Sequence, residues 1–286
     1  MSSEATAAAP TSVGAVGGRV ELHGISGIRF FATLLLCAGH ATESLWIASG
    51  DEAQWFRRDT CSWLKRASKD MVSFYFVLAG FTMTWGYMKR DFETWESRLT
   101  YWRRRIARFY PDYLISTVVG VTLHSQWVFG CHSMSLAMFL FNVLALTLLP
   151  AWFFGLGEGF VNGPSWFMGT LFWLWILFPF ILKPVKSLFS NDTSVSFIGK
   201  LFVLYLLALV PFCITFAASA PGAMDTPLLS MFPSWGALHW TIKAHPLARL
   251  PEFVMGMGLA VRILTPSEYA EIGGNGKGAW WSGGSM

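Results

Sequence analysis

Arg29 and His40 are the two residues of this chain best suited to do chemistry together. Both fall in GISGIRFFATLLLCAGHATESLW, Gly24 to Trp46, an apolar stretch with no acidic residue before Glu43. Histidine titrates near neutral pH, so it can take a proton and return it. Arginine is a fixed cation whose fork can hold an anion or a developing negative charge. Eleven residues separate the two, a turn of about 1100°, which is within roughly 20° of three full helical turns. The side chains therefore share one helix face, about 16 Å apart along the axis. Glu43 follows one turn after His40, where a carboxylate can orient the ring or stabilise its cation. Ionisable residues inside a membrane span are costly and usually face a cavity or a partner. The stripe thus suggests a helix lining a polar site. The plainer reading is a structural histidine and an arginine reaching for the interface, and spacing alone does not choose between them.

Two further charged sets stand out. Lys89 to Tyr110 is the most basic part of the chain, with Lys89, Arg90, Arg98, Arg103, Arg104, Arg105 and Arg108. Arg105 and Arg108 are an i, i+3 pair on one helix face. Such a run beside a membrane marks a cytoplasmic loop, and guanidinium forks also grip phosphate oxygens. Arg249 and Glu252, three apart, read as a structural ion pair that relieves its own desolvation. Residues 219–245 read as a loop; His239 and His245 lie in it, six apart and sharing no helix face, so neither reads as a ligand. The four cysteines show no CxxC or CxxxH spacing, so no metal site is expected. Cys37 and Cys213 lie in apolar runs and are expected to be buried.

The elements that must position these groups are membrane helices. The chain has 286 residues, of which 53% are hydrophobic and only 13% charged. A soluble domain of this length carries about 25% charged residues. A net charge of +4, unevenly placed, speaks to topology rather than to nucleic acid. The reading is an all-α bundle of six or seven spans in one domain, 24–264. Residues 1–23 are expected to be a disordered cytoplasmic tail, and 265–286 a Gly-rich flexible tail. The charged stretch 49–70 reads as a solvated loop with room for a short surface helix, and Met71–Met88 as the second span. Further spans follow at Tyr110–Phe129, Phe160–Leu182 and Leu201–Ala218. Met134–Leu149 is short enough to span or to lie in the interface. If it spans, the loop with Lys183 and Lys186 lies outside; if not, it is cytoplasmic. A cytoplasmic N-terminus puts Cys61 and Cys131 in two exterior loops, where a disulfide is possible if their Cα atoms come within about 7 Å.

Several stretches resemble the acyltransferase 3 family of multi-pass membrane proteins. G-I-S-G-I-R-F-F-A with His40 eleven residues after Arg29 is similar to its first helix. S-F-Y-F-V-L-A-G-F (Ser73–Phe81) resembles its second-helix motif, with Ala79 where the family usually has serine. W-R-R-R-I-A-R-F-Y-P resembles its RxxR motif, G-P-S-W-F…F-P-F its Trp-Ser to Phe-Pro motif, and R-L-P-E-F-V-M-G-M-G-L-A its late motif. Many members carry a glutamate eight residues before the Phe-Pro proline; Leu171 stands there. Members also continue with further helices beyond the late motif.

The resemblance implies an O-acyltransferase. It would move an acyl group from cytoplasmic acyl-CoA, a co-substrate rather than a bound cofactor, to a hydroxyl of a carbohydrate, lipid or secondary metabolite. His40, Arg29 and Glu43 would be catalytic, and Arg104, Arg105 and Arg108 would hold the donor. Two other readings stand beside it: a proton-linked transporter or channel using the same Arg/His/Glu stripe, and an inactive truncated paralogue.

Overall fold

The computed structural model describes residues 23–49, 62–129, 143–144, 146–152, 165–190, 193–220, 222 and 234–264. Its elements are α1 (His23–Ser49), α2 (Ser62–Tyr87), α3 (Trp95–Phe129), a 3-10 turn (Leu149–Trp152), α4 (Ser165–Phe189), α5 (Ser194–Ala218), α6 (Trp235–Ala244) and α7 (Pro246–Ile263). No strand occurs among the described residues, so the all-α class holds. Helices satisfy their own backbone groups, which hydrocarbon cannot do for them. Among the described residues, three stretches are long and apolar enough to cross a membrane: Gly24–Thr42, Trp166–Phe189 and Ser194–Ala218. Of the six or seven spans read from the sequence, these three meet that criterion among the described residues. Charge explains part of the difference. α2 carries Lys65, Arg66, Lys69 and Asp70 in its first turns, and α7 carries Arg249, Glu252 and Arg262.

Local chemistry sets several helix starts. Thr94 opens α3, its hydroxyl accepting from Ser97 N at 3.2 Å. Thr193 caps α5 through Ser196 N, and His245 caps α7 by accepting from Leu247 N at 3.3 Å, with Pro246 at the first helical position.

The boundaries differ from the sequence reading in three places. Residues 62–70, read as loop, are the first turns of α2, because no Gly or Pro interrupts the run from Ser62 to Met71. The basic stretch read as a loop lies mostly inside α3, which passes through Pro111 without ending. Residues 235–244, also read as loop, form α6. A further correction concerns the cysteines: Cys37 and Cys213 are exposed, not buried.

The tightest packing joins α2 to α7. A Cβ built on Gly80 would lie 1.9 Å from the Phe253 carbonyl oxygen, and one on Gly256 would lie 1.8 Å from that of Val77. The two backbones touch, as small residues permit in a membrane bundle. Around this seam sits an aromatic core of Phe76, Tyr87, Phe92, Tyr101, Phe178 and Phe253. Tyr101 donates to the Trp175 carbonyl at 3.2 Å, and Phe109 packs on Phe172, so α3 and α4 run antiparallel. The outer side of α5 exposes Phe202, Leu206, Val210, Phe212 and Phe216, a surface suited to lipid.

Two contacts fix which turns share an end. Lys183 pairs with Glu93 at 2.7 Å, and Lys186 donates to the Met88 carbonyl. The turn after α2 and the C-terminal part of α4 therefore lie together at one basic end. The start of α2, α6 and the start of α7 lie at the other. Lysines 183 and 186 thus share an end with the basic run.

Gly80→Leu is expected to destabilise the fold by about 1–3 kcal/mol through overpacking, read as a lower midpoint of thermal unfolding in detergent. Gly86→Leu is the control, because nothing lies within 4 Å of a Cβ added there. Equal midpoints for the two variants would count against the α2–α7 contact.

Candidate active site

α1 packs on α2 through one narrow stripe. Ala32, Gly39 and Thr42 are buried along it. At Gly39 an added Cβ would overlap Ser68 of α2, so only glycine fits there. Thr42 returns its hydroxyl to the Gly39 carbonyl at 2.8 Å. Arg29 and His40 are exposed on the flank beside this stripe. The Tyr75 hydroxyl from α2 reaches that flank. Its oxygen lies 3.0 Å from the Arg29 carbonyl oxygen and within hydrogen-bond reach of Thr33, which itself donates to Arg29 O at 2.8 Å. Arg29 therefore stands at the level of Tyr75, and His40 stands beside the Gly39–Ser68 contact nearer the opposite end. Their axial separation is about 16 Å. Helical side chains lean toward the N-terminus, which in α1 is the basic end. Glu43 belongs to α1, but its side chain lies outside the described residues.

The three arginines of the basic run divide. The Arg105 guanidinium carbon lies 5.6 Å from the Tyr87 ring centre and 5.5 Å from that of Trp175. Its Nε is buried without a hydrogen bond. Arg104 and Arg108 are exposed on the outer side of α3. The i, i+3 spacing thus puts Arg105 against the bundle and Arg108 at its surface.

The α2–α7 seam carries a polar cluster. Ser73 Oγ donates to Glu252 Oε1 at 2.8 Å, and Arg249 Nη1 reaches the same oxygen at 3.0 Å. Arg249 Nε donates to the Lys243 carbonyl at 3.0 Å. Glu252 is only 7% exposed, and its Oε2 has no hydrogen-bond partner. His239 stacks on Trp235 within α6, with ring centres 5.1 Å apart. Burial, and then Lys243, Lys69 and Arg249, hold its pKa below the usual imidazole range. Lys243 lies over Trp240 at 4.1 Å and Trp166 at 4.8 Å.

Leu171, where the resemblance expects a carboxylate, is buried in the aromatic core. The adjacent Thr170 hydroxyl bonds the Ala244 carbonyl at 2.6 Å. An ionised side chain at 171 would meet apolar neighbours. Cys61 and Cys131 lie outside the described residues, and so does the disulfide expected between them.

Ser73 and Tyr75 were not singled out by spacing, although both lie in the second-helix motif. What brings them in is contact across seams 46 and 179 residues apart in sequence. Arg249→Met is expected to cost about 3–5 kcal/mol, because it leaves a buried carboxylate uncompensated. Arg249→Met/Glu252→Gln should recover most of that loss. Thermal unfolding of the four species of the double-mutant cycle measures this, and additive losses would show the pair to be uncoupled.

The sequence model of the acyltransferase 3 family, described as an acyltransferase domain, matches residues 22–268. "Acyltransferase MdmB" of Streptomyces mycarofaciens is 27% identical over 260 residues, covering 86% of this chain and 58% of that protein. The chain thus spans a little over half the length of this curated relative. No solved structure matches it.

Proposed function

The chain belongs to the acyltransferase 3 family, and we propose that it moves an acyl group from acyl-CoA to a hydroxyl of a carbohydrate, lipid or secondary metabolite. The observation that carries this reading is the shared flank of Arg29 and His40 on α1, held by Tyr75 at one level and by the Gly39–Ser68 contact at the other. The basic end faces the cytoplasm in this reading, following the excess of Lys and Arg there. The donor enters from that end and the hydroxyl from the other.

A neutral alcohol is a poor nucleophile toward a thioester. His40 takes its proton as the oxygen attacks the thioester carbonyl carbon. The tetrahedral intermediate then collapses, the carbon–sulfur bond breaks, and the thiolate takes the proton back from the imidazolium. Glu43, one turn on, favours the cationic ring that forms in between. Arg29 lies about 16 Å from His40, so it grips the donor rather than the reacting oxygen. Arg105 and Arg108, with Arg104, bind the donor further toward the basic end.

His40→Ala is expected to lower turnover by about a hundredfold or more, the usual scale for losing a general base, while membrane insertion is kept. Release of free thiol from acyl-CoA in the presence of a hydroxyl acceptor measures it. Near-normal transfer would end the assignment. Arg105→Lys keeps the charge but loses the planar fork, so it should raise the donor KM by roughly tenfold with kcat little changed. An unchanged KM would make Arg105 a packing residue against Tyr87 and Trp175.

A further inference from the structure

The basic end holds a cleft that the Arg29–His40 site does not use. It has a volume of about 650 Å³ and lies between the turn after α2 and the C-terminal part of α4. Five cations line it: Lys89, Arg90 and Arg98 from one side, Lys183 and Lys186 from the other. Asp91 and Glu93 are the acids in the lining, which leaves an excess of three positive charges. The floor is apolar, built from Phe92, Pro179 and Leu182, all buried.

The cations are of two kinds. Arg98 is fixed: its Nε donates to the Phe92 carbonyl at 2.6 Å, and its guanidinium lies 4.7 Å from the Phe180 ring centre. Lys186 is tied to the Met88 carbonyl. These two hold the walls. Lys89, Arg90 and Lys183 are exposed at the mouth. Lys183 is paired with Glu93, whose carboxyl that contact holds below the usual carboxylate range. The pair is open to water and worth little by itself, so a stronger anion can take the lysine over.

We propose that this cleft docks the 3′-phosphorylated adenosine diphosphate end of the donor. The proposal rests on reading the chain as a coenzyme A-dependent acyltransferase. Several cations around a concave apolar floor suit a ligand with several phosphates and a flat base. The shared chemistry, phosphate on cations, also fits an anionic lipid headgroup. The two carboxylates favour the nucleotide. They oppose a bare anion but accept hydrogen bonds from ribose hydroxyls and the adenine amine. Asp91 is only partly engaged, accepting from the Glu93 amide at 3.1 Å. The site is distinct from Arg105, which packs against Tyr87 and Trp175 inside the bundle.

The test uses the full chain in neutral detergent and adenosine 3′,5′-bisphosphate as the probe, followed by calorimetry. Lys89→Ala/Arg90→Ala removes two exposed cations and is expected to weaken binding by roughly tenfold or more. Lys89→Arg keeps the charge and should bind within about threefold of the parent. Glu93→Gln frees Lys183 and should tighten binding by about two- to fivefold, an effect that fades at high salt. No binding by the parent chain, or equal binding by the double-alanine variant, overturns the proposal. So does a double-alanine variant that loses association with phosphatidylglycerol nanodiscs while its bisphosphate affinity is unchanged, since the cleft would then be a headgroup site. Acyl transfer separates this failure from failure of the parent reading. A chain that binds the bisphosphate in the cleft but transfers no acyl group keeps the cleft and loses the acyltransferase assignment. A chain that transfers acyl groups with the donor KM unchanged in the double-alanine variant does the reverse.

Discussion

The structure depends on two helix backbones in direct contact. In hydrocarbon, burying a leucine between helices gains little, because lipid is as apolar as the partner helix. What remains is close packing and the polar bonds that closeness permits. Gly80 against Phe253 and Gly256 against Val77 bring α2 and α7 to that limit. Only at such a distance can a side chain as short as Ser73 reach Glu252 at 2.8 Å. The Arg249–Glu252 pair would be expensive in the bilayer by itself. It is tolerable because the seam supplies a hydroxyl from α2, and Arg249 is further held by the Lys243 carbonyl.

The same device positions the candidate chemistry. α1 is held to α2 along a narrow stripe, with Gly39 on Ser68 and Tyr75 gripping the Arg29 turn further along. A narrow seam leaves the flank beside it open, and that flank carries Arg29 and His40. Both side chains are exposed there rather than buried in the seam. The basic end is built differently. There the aromatic core around Tyr87, Phe92 and Tyr101 closes the bundle, and the cations stand around its rim.

Much of the fold was legible because hydropathy reports the cost of placing a segment in lipid. That cost is low for Gly24–Thr42, Trp166–Phe189 and Ser194–Ala218, and these stretches stand out. Helix ends were less legible. Lys65 to Asp70 look like a loop by charge, yet charged residues form helix readily, and α2 simply begins in them. Cys37 and Cys213 show a second limit. In a membrane protein an apolar run does not distinguish core from lipid-facing surface, and both cysteines face outward. The shared face of Arg29 and His40 follows from helical geometry and needed no tertiary information. The contacts of Ser73, Tyr75, Lys183 and Lys186 come from distant parts of the chain, and no spacing rule brings such residues together.

Leu171 bears on how the proposed reaction is arranged. A carboxylate from α4 near the site would have to hold its place through the packing of one helix on another. With leucine there, the carboxylate nearest His40 in the motif is Glu43, on the same helix and one turn away. A base and its orienting acid on one α-helix keep their relative position through the helix itself. Movement between α1 and the rest of the bundle would leave that pair intact. It would change only the distance from the pair to whatever α2 and the basic end hold. The sensitive joint in this arrangement is therefore the α1–α2 contact, where Gly39 meets Ser68 without room for one methyl group.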